Sequence, residues 1–248
     1  MSNDDTTLVL GATGKTGRRV AARLRLHGTP VRAASRSSST PFDWTDPSGW
    51  DAALQGVAAV YVVAPTTPGP VHEFVARAEA AVRGSALEWT VLRPTDFFQN
   101  FDEETHHAAL VAGELALPAG TLTEAMIDID DVADVAATVL TEPGKHAGQV
   151  YELTGPRALT YREAVDLISR ATGQPITYTE VTTAEYAARL VAQGWGEDDA
   201  HHVAEMYVLI ERGTLADTTD GVQTVLGRAP RTFEDYVVRT AAAGGWRS

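Results

Sequence analysis

Three glycines at a spacing of three residues, Gly11, Gly14 and Gly17, constrain the fold of this chain more than any other feature. They follow the apolar run of residues 8–10 and precede a stretch with helical apolar spacing. A strand, a glycine turn and a helix in this order form a unit that binds pyrophosphate. The glycines permit a tight turn and a close approach of the backbone, and the helix N-terminus offers unpaired N–H groups. The sequence therefore predicts a phosphate-binding loop.

Polar residues between these glycines strengthen the prediction. Lys15 adds a positive charge and Thr16 adds a hydroxyl group at the start of the predicted helix. The alternative is a tight turn that binds no ligand, and the strand before it and the helix after it disfavour that alternative. The candidate phosphate-binding residues are Gly11, Thr13, Gly14, Lys15, Thr16 and Gly17.

The end of the second predicted strand, residues 31–35, indicates which dinucleotide would bind. A site for NAD usually has an acidic residue here, which holds the ribose 2′-OH. No acidic residue lies between Asp5 and Asp43, and Ser35 and Arg36 are followed by further serines. A guanidinium group binds a phosphate through forked, charge-assisted hydrogen bonds. We therefore predict NADPH/NADP+ as the cofactor, and the alternative is a solvated loop with one arginine.

Composition excludes several classes of protein. The chain of 248 residues is long enough for one large α/β domain or for a large domain with a small one. It has no cysteine, which excludes disulfides and thiol chemistry. The net charge of −13, without a basic stripe, argues against nucleic acid or an anionic membrane as a partner. No apolar stretch approaches the roughly 18 residues of a membrane span, and the first residues do not resemble a signal peptide. We expect a cytoplasmic monomer.

Two motifs resemble those of the NmrA-like type of atypical short-chain dehydrogenase/reductases, which are NAD(P)-binding proteins. The first is Gly-Ala-Thr-Gly-Lys-Thr-Gly at residues 11–17, and the second is Leu-Arg-Pro-Thr-Asp-Phe-Phe-Gln-Asn at residues 92–100. Residues 126–136 also look like a short family strand followed by a helix that an acid caps. The resemblance implies an α/β fold, a doubly wound parallel Rossmann sheet with a small mixed α/β substrate or lid domain.

The resemblance also implies roles for residues outside the glycine loop. Asp43 is expected to meet the adenine, with Trp44 as a wall of the adenine pocket. The strand end at Ala64 and Pro65 is expected to line the nicotinamide side, together with Pro94. The segment after this proline enters the substrate pocket in the family. The candidate substrate-binding residues are Phe97, Phe98, Phe101, His106, Met206 and Tyr207.

Several of these candidates have an ordinary structural alternative. At least one of the three phenylalanines is expected to belong to the core. Residues 102–112 predict a helix, on which His106 is either a pocket residue or part of an exposed polar face. A further predicted helix, residues 198–212, either packs on the core or forms a lid. Asp130 and Asp131 are interpreted as structural acids at a helix N-cap.

The chain departs from the family between residues 65 and 88. A parallel crossover needs a dozen or more residues, so this connection has room for one helix. The family usually has a helix, a strand and a second helix there, which carry a serine or threonine and a Tyr-x-x-x-Lys pair. None of the seven tyrosines here has a lysine four residues later, and the two lysines are Lys15 and Lys145. The sequence therefore predicts a sheet one strand short and no tyrosine–lysine acid.

These observations define the predicted organisation and function. Residues 1–155 are predicted to form the dinucleotide-binding domain and residues 156–248 a smaller domain, with residues 95–120 contributing to the pocket. Without the usual acid, the favoured substrate is a polycyclic aromatic, polyketide-type compound whose ketone is polarised by a neighbouring phenol. An iminium ion is the alternative. No residue is assigned as a catalytic acid, and the weak candidates are Thr95, Asp96, His106 and Tyr207. The competing class is a regulator that senses NADP(H) and binds a partner protein.

Overall fold

The computed structural model describes residues 5–63, 71–211 and 215–247. Its strands are β1 (Thr7–Leu10), β2 (Val31–Ser35), β3 (Thr40–Pro41), β4 (Ala59–Tyr61), β5 (Thr90–Pro94), β6 (Glu114–Leu117), β7 (Thr123–Glu124), β8 (Gln149–Leu153), β9 (Leu159–Thr160) and β10 (Thr177–Glu180). Its α-helices are α1 (Lys15–Leu26), α2 (Trp50–Leu54), α3 (Val71–Arg83), α4 (His107–Val111), α5 (Ile129–Thr141), α6 (Tyr161–Thr172), α7 (Thr183–Ala192), α8 (Glu197–Glu211), α9 (Gly221–Leu226) and α10 (Phe233–Ala242).

The first four strands form a parallel sheet in the order β3-β2-β1-β4. In this sheet β1 is fully buried, and its residues alternate between two cores because successive strand side chains point to opposite faces. Val9 packs with residues of α1 and α5, whereas Leu8 and Leu10 pack with Phe42 and Ala53 on the other face. Helices and loops therefore cover both faces, which confirms the predicted doubly wound α/β class.

The shortened connection leads from β4 to β5. Among its described residues, α3 is the one regular element, as predicted. Among the described residues, β4 is the last strand of this sheet, and β5 hydrogen-bonds with β8 in a separate pair. Arg93 on β5 ties these elements together, because its guanidinium donates at 2.8 Å both to Glu79 of α3 and to Glu152 of β8. The predicted cofactor residues Ala64 and Pro65 lie outside the described residues.

Acidic residues of α5 hold α1 in place. Arg23 of α1 pairs with Asp134 at 2.6 Å and with Asp130 at 3.1 Å. Arg228, which follows α9, pairs at 2.7 Å with the fully buried Asp131. These contacts support the interpretation of Asp130 and Asp131 as structural acids. Their predicted position is corrected, because α5 begins at Ile129 and both acids lie in its first turn instead of at its N-cap.

The described residues fall into two compact units, and each is discontinuous in sequence. The first unit takes its described residues from Met1–Arg93, Ile129–Glu152 and Gly221–Arg228, and the second unit from Pro94–Asp128, Leu153–Asp220 and Ala229–Ser248. This division differs from the predicted boundary at residue 155. The segment before α5 joins the second unit, and α9 returns to the first because Arg228 pairs with acids of α5.

Aromatic residues form the centre of the second unit. Phe98 and Phe101 are 1% and 0% exposed and contact Phe233 with ring centroids 5.0 and 5.3 Å apart. The indole Nε1 of Trp246 donates to the carbonyl oxygen of Phe101 at 2.7 Å. Phe98 and Phe101 are therefore core residues, and the prediction that they line a substrate pocket is corrected for both.

The helix predicted for residues 102–112 is shorter than expected. Residues 101–105 form turns, and α4 begins at His107, with His106 at its N-cap. The backbone N–H of His106 donates to the carbonyl oxygen of Asn100 at 2.9 Å, which closes a turn and prevents an earlier helical start. His106 is only 3% exposed, so its assignment to an exposed polar face is wrong.

We expect replacement of Asp128 to destabilise the second unit. Its buried carboxylate accepts hydrogen bonds from Gln99 Nε2 at 2.9 Å and from Arg239 at 2.8 Å. Asp128→Ala removes the carboxylate that accepts both hydrogen bonds. Loss of the bond to the buried Gln99 amide alone lowers the free energy of unfolding by about 1–3 kcal/mol. A lower Tm in thermal unfolding, by several degrees, is the expected result. Asp166→Ala changes an exposed acid of α6 and serves as the control; equal Tm values for the two variants would contradict the assignment.

Candidate functional site

The glycine loop of the first unit has the backbone geometry that a bound pyrophosphate requires. Gly11 has a φ of 65°, a left-handed conformation that favours glycine. A Cβ atom on Gly17 would lie 2.2 Å from the carbonyl oxygen of Gly11, so only glycine allows this approach of α1 to β1. Gly14 precedes α1 and provides no side-chain cap. The first N–H groups of α1 therefore have no acceptor within the helix and can bind phosphate oxygens.

The polar residues of the loop differ in their surroundings. Thr13 is exposed, whereas Lys15 and Thr16 are half-buried at the start of α1. The Thr16 hydroxyl interacts with the hydroxyl of Tyr61 on β4, and burial raises the pKa of this tyrosine. Tyr61 of β4 is paired with Val9 of β1, so its contact with the Thr16 hydroxyl joins the sheet to the start of α1.

Arg36 stands at the predicted 2′-phosphate position and is exposed. The turn before it is fixed by serines: the Ser38 hydroxyl accepts the Ser35 N–H at 2.8 Å and donates to the carbonyl oxygen of Thr40 at 2.8 Å. Within the described residues, no hydrogen bond or ion pair engages the Arg36 guanidinium. Its charge is near Asp43, whose pKa lies below the usual value mainly because Thr45 donates to it and in small part because of Arg36.

Three aromatic residues hold the predicted adenine-binding segment. Phe42, Trp44 and Trp50 have ring centroids 5.1 to 6.1 Å apart. The indole of Trp50 donates to the carbonyl oxygen of Asp43 at 2.8 Å. Asp43 and Trp44 are thus held beside Arg36 in the same unit, and the residues present fit a dinucleotide that carries a 2′-phosphate.

In the second unit, the segment after Pro94 pairs with residues 125–127. The Thr95 hydroxyl donates to the carbonyl oxygen of Ala125 at 2.8 Å. Ile127 N–H donates to the carbonyl oxygen of Asp96 at 2.8 Å. On the other side, β7 pairs with β9, which places Glu124 opposite Leu159 and next to the beginning of α6. These pairings bring together side chains that are far apart in sequence.

The result is a group that we call the acid–tyrosine cluster, composed of Asp96, Glu124, Tyr161, Tyr186 and Tyr207. The ring of Tyr207 lies 6.1 Å from that of Tyr161 and 5.6 Å from that of Tyr186, centroid to centroid. Tyr161, Tyr186 and Tyr207 are buried, whereas Asp96 is exposed. His106 borders the cluster, with its ring 5.6 Å from that of Tyr161.

Glu124 is the most unusual member of the cluster. Its side chain is 0% exposed, and neither carboxyl oxygen forms a hydrogen bond of normal geometry within the described residues. Burial, followed by the charge of Asp96, raises the pKa of Glu124 to about 8, and the nearby Tyr161 hydroxyl offsets a small part of this rise. The carboxyl group is therefore predominantly neutral at pH 7. Burial also raises the pKa of Tyr161 and Tyr207 well above the usual value.

Only some of the predicted substrate and acid residues gather at this cluster. Asp96 and Tyr207 belong to it, and His106 contacts it. Thr95 is engaged by backbone carbonyl groups, and Phe97 forms a bridge with Ile127. Met206 is 45% exposed and Pro94 is exposed as well. The apolar face of α8 packs on the core through Ala200, Ala204 and Tyr207, which favours core packing over a lid.

Sequence reasoning missed Glu124, Tyr161 and Tyr186. The signal that could have found Glu124 was an acid directly before the apolar run of residues 125–127. Tyr161 is the first residue of α6 and Tyr186 the fourth of α7, and each helix begins with a capping box, in which Thr160 or Thr182 exchanges hydrogen bonds with a glutamate three residues later. In the described part of the chain, no group of three acids or histidines is arranged to hold a metal ion, and no helix is long and apolar enough to cross a membrane.

The parallel sheet and its glycine loop define a dinucleotide-binding α/β protein. The pattern of the NmrA-like family matches residues 59–237, and the chain belongs to this family. The uncharacterized oxidoreductase YesF of Bacillus subtilis (strain 168) is 31% identical over 98% of this chain and 97% of its own length. The NAD(P)H azoreductase of Xenophilus azovorans is 30% identical over 96% of this chain and 98% of its own length.

A solved structure has the same fold. The NADPH-dependent quinone oxidoreductase of Escherichia coli, crystallised with NADPH, superposes with a TM-score of 0.78 at 24% identity, covering 94% of this chain and 99% of its own. The predicted family and fold are thereby confirmed. The names of these relatives also bear out the predictions of an oxidoreductase and of NADP(H) as the cofactor.

The length of one alignment shows that this chain is shorter than a relative of the family. The alignment with YesF spans 279 positions, whereas this chain has 248 residues. The relative therefore contains segments that this chain lacks. A missing strand and helix between β4 and β5 is the sequence-based explanation.

We expect Arg36→Ala to remove the preference for NADPH over NADH. The guanidinium offers charge-assisted hydrogen bonds to a 2′-phosphate, each contributing about 1.5–3 kcal/mol, or roughly tenfold to 100-fold in Kd. Titration of both dinucleotides into wild type and variant measures this change. Arg25→Ala, which alters an exposed arginine of α1, is the control. Equal binding of NADH and NADPH by the wild type would contradict the assignment, as would a variant that keeps the preference.

We expect the stability contributed by Glu124 to fall as pH rises. In the unfolded chain this carboxyl group ionises near pH 4.5, the usual pKa of a glutamate, whereas the folded one keeps its proton until about pH 8. Between these values the unfolded state is favoured by about 1.4 kcal/mol per pH unit. Glu124→Gln removes this penalty, so its stability relative to wild type should increase by a few kcal/mol from about pH 5 to about pH 8. Unfolding curves at both pH values measure the effect. The same difference in unfolding free energy between variant and wild type at both pH values would contradict the prediction.

Proposed function

We propose that this chain is an NADPH-dependent reductase that transfers hydride to an electrophilic carbon which needs little acid assistance. The two forms of such a carbon are the activated carbonyl of a polycyclic aromatic, polyketide-type compound and an iminium carbon. The observation that carries the proposal is the glycine loop with Arg36 beside it, in a chain that has no Tyr-x-x-x-Lys pair. The family membership supports the reductase class.

The residues of the first unit account for cofactor binding. The N–H groups at the start of α1 would hold the pyrophosphate, and Lys15 would add charge. Arg36 would bind the 2′-phosphate, and Asp43 with Trp44 would contact the adenine. When bound, NADPH supplies a hydride.

The weak acid candidates differ in what their side chains can do. The Thr95 hydroxyl already donates to a backbone carbonyl oxygen. Tyr207 holds its proton tightly, because burial raises its pKa well above the usual value. A general acid works best with a pKa near the operating pH, so neither group suits that role. The chain would then act mainly by positioning its substrate, which can contribute several kcal/mol without any proton transfer.

The described aromatic rings of the second unit do not support an aromatic substrate. Tyr161, Tyr186 and Tyr207 are buried in the same core as Phe98 and Phe101, and their rings pack on one another. The aromatic form of the substrate therefore follows only from the absent Tyr-x-x-x-Lys pair, because a ketone polarised by its own phenol needs little acid.

The experiment that tests the function is a screen of NADPH oxidation against aromatic ketones, quinones and imines. Turnover of at least one class, with NADPH preferred over NADH, is the expected result. Binding of NADPH without turnover of any class would favour the competing function, a regulator that senses NADP(H) and binds a partner protein.

We expect none of the four weak acid candidates to be indispensable. Thr95→Val, Asp96→Asn, His106→Gln and Tyr207→Phe should each lower kcat by about tenfold or less, whereas loss of a general acid costs about 100-fold to 10,000-fold. Steady-state kinetics with the best substrate of the screen measures the effect, and Glu205→Gln on the exposed face of α8 is the control. If one variant binds NADPH normally but loses turnover, that residue is a dedicated acid.

A further inference from the structure

The glycine loop and the end of β2 lie side by side at one edge of the parallel sheet. Leu10 of β1 is paired with Ala34 of β2, and the backbone N–H of Ala12 donates to the carbonyl oxygen of Ala34 at 3.1 Å. Adjacent strands of a sheet are about 4.8 Å apart. The residues that follow β2 are therefore next to the loop proposed to hold the pyrophosphate, where the adenine ribose of a dinucleotide binds in a fold of this kind.

A tight turn follows β2. The N–H of Ser38 donates to the carbonyl oxygen of Ser35 at 3.4 Å, which makes Arg36 and Ser37 the two central residues of a four-residue turn. Ser35 is buried, whereas Arg36 and Ser37 are exposed. The turn thus presents the arginine to solvent, a position from which it can reach a phosphate.

The hydroxyl of Ser38 fixes the conformation of this turn. It accepts the N–H of Ser35 at 2.8 Å and donates to the carbonyl oxygen of Thr40 at 2.8 Å. Ser35 is the last residue of β2 and Thr40 the first residue of β3, so one hydroxyl group joins both ends of the connection between the strands. Without this hydroxyl, both hydrogen bonds are lost and the turn gains conformational freedom.

Arg36 depends on the turn for its direction. Its side chain is long and flexible, and in the described part of the chain no hydrogen bond or ion pair holds its guanidinium group. Binding of a phosphate must therefore order this side chain, at a cost in conformational entropy. A backbone that is already fixed keeps that cost small, which is the physical basis of preorganised binding.

We propose that Ser38 is a positioning residue for cofactor specificity, because its hydroxyl holds the turn from which Arg36 meets the 2′-phosphate of NADPH. Ser38 acts through the arginine and is assigned no contact with the cofactor, since backbone groups engage its hydroxyl. This inference rests on the role of Arg36 in the proposed function. It goes further by naming the group that makes this arginine selective.

Two adenine nucleotides isolate the contribution of the 2′-phosphate. Adenosine 2′,5′-bisphosphate has this group and adenosine 5′-monophosphate lacks it, and neither reaches the nicotinamide half of the site. Isothermal titration of the full chain gives a Kd for each nucleotide, and the ratio of the two is the 2′-phosphate preference. We expect Ser38→Ala to lower this preference about fivefold to tenfold, with the Kd of the monophosphate unchanged within about twofold, because only Arg36 loses its preorganisation.

Three further variants separate positioning from general stability. Ser38→Thr keeps a hydroxyl group and should restore the wild-type preference. Ser85→Ala is the matched control, since the Ser85 hydroxyl closes another turn of the same unit by donating to the carbonyl oxygen of Val82 at 2.7 Å; this variant should behave as wild type. In an Arg36→Ala background, Ser38→Ala should have no further effect, because the arginine through which it acts is gone.

Four results would overturn the inference: an unchanged preference in Ser38→Ala, equal loss of affinity for both nucleotides, failure of Ser38→Thr to restore the preference, or a further loss in the Arg36→Ala background. A wild type that binds both nucleotides equally would refute the role of Arg36 as well. Failure of the reductase function is recognised separately. Loss of the preference in Ser38→Ala, together with no NADPH oxidation in the substrate screen, would support the inference and refute the reductase.

Discussion

The contact between Gly17 and the carbonyl oxygen of Gly11 is the constraint on which the first unit depends. No Cβ atom fits at Gly17, so α1 approaches β1 more closely than any other residue would allow. That approach aims the first turn of α1 at the end of the sheet and lets Val20 and Leu24 pack on Val9. The same contact therefore determines both the hydrophobic core and the phosphate-binding N–H groups.

Local patterns predict the first unit well because its site is built from neighbours in sequence. The glycine loop, the serines before Thr40 and the aromatic segment from Phe42 to Trp50 each act within a short stretch of chain. The capping boxes at Thr160 and Thr182 are equally visible, since a capping box is a contact between residues three apart. Contacts between residues a few positions apart can therefore be predicted from composition and spacing.

The second unit is harder to predict because its site is assembled by tertiary pairing. Glu124 looks like an ordinary strand residue until β7 pairs with β9 and the segment after Pro94 pairs with residues 125–127. Phe98 and Phe101 match a family pattern, yet Phe233 of α10 covers them, a contact across more than a hundred residues of sequence. Periodicity identifies apolar residues there but not which of them a distant helix buries.

The shortened connection poses a chemical problem for hydride transfer. The resemblance implies a tyrosine and a lysine between β4 and β5 that this chain lacks, and a reductase without this pair must either use another acid or act on a substrate that needs none. The Thr95 hydroxyl already donates to a backbone carbonyl oxygen, and burial holds the pKa of Tyr207 well above its usual value, so neither side chain suits the role of a general acid. A substrate that needs little acid assistance is therefore the explanation that these residues favour.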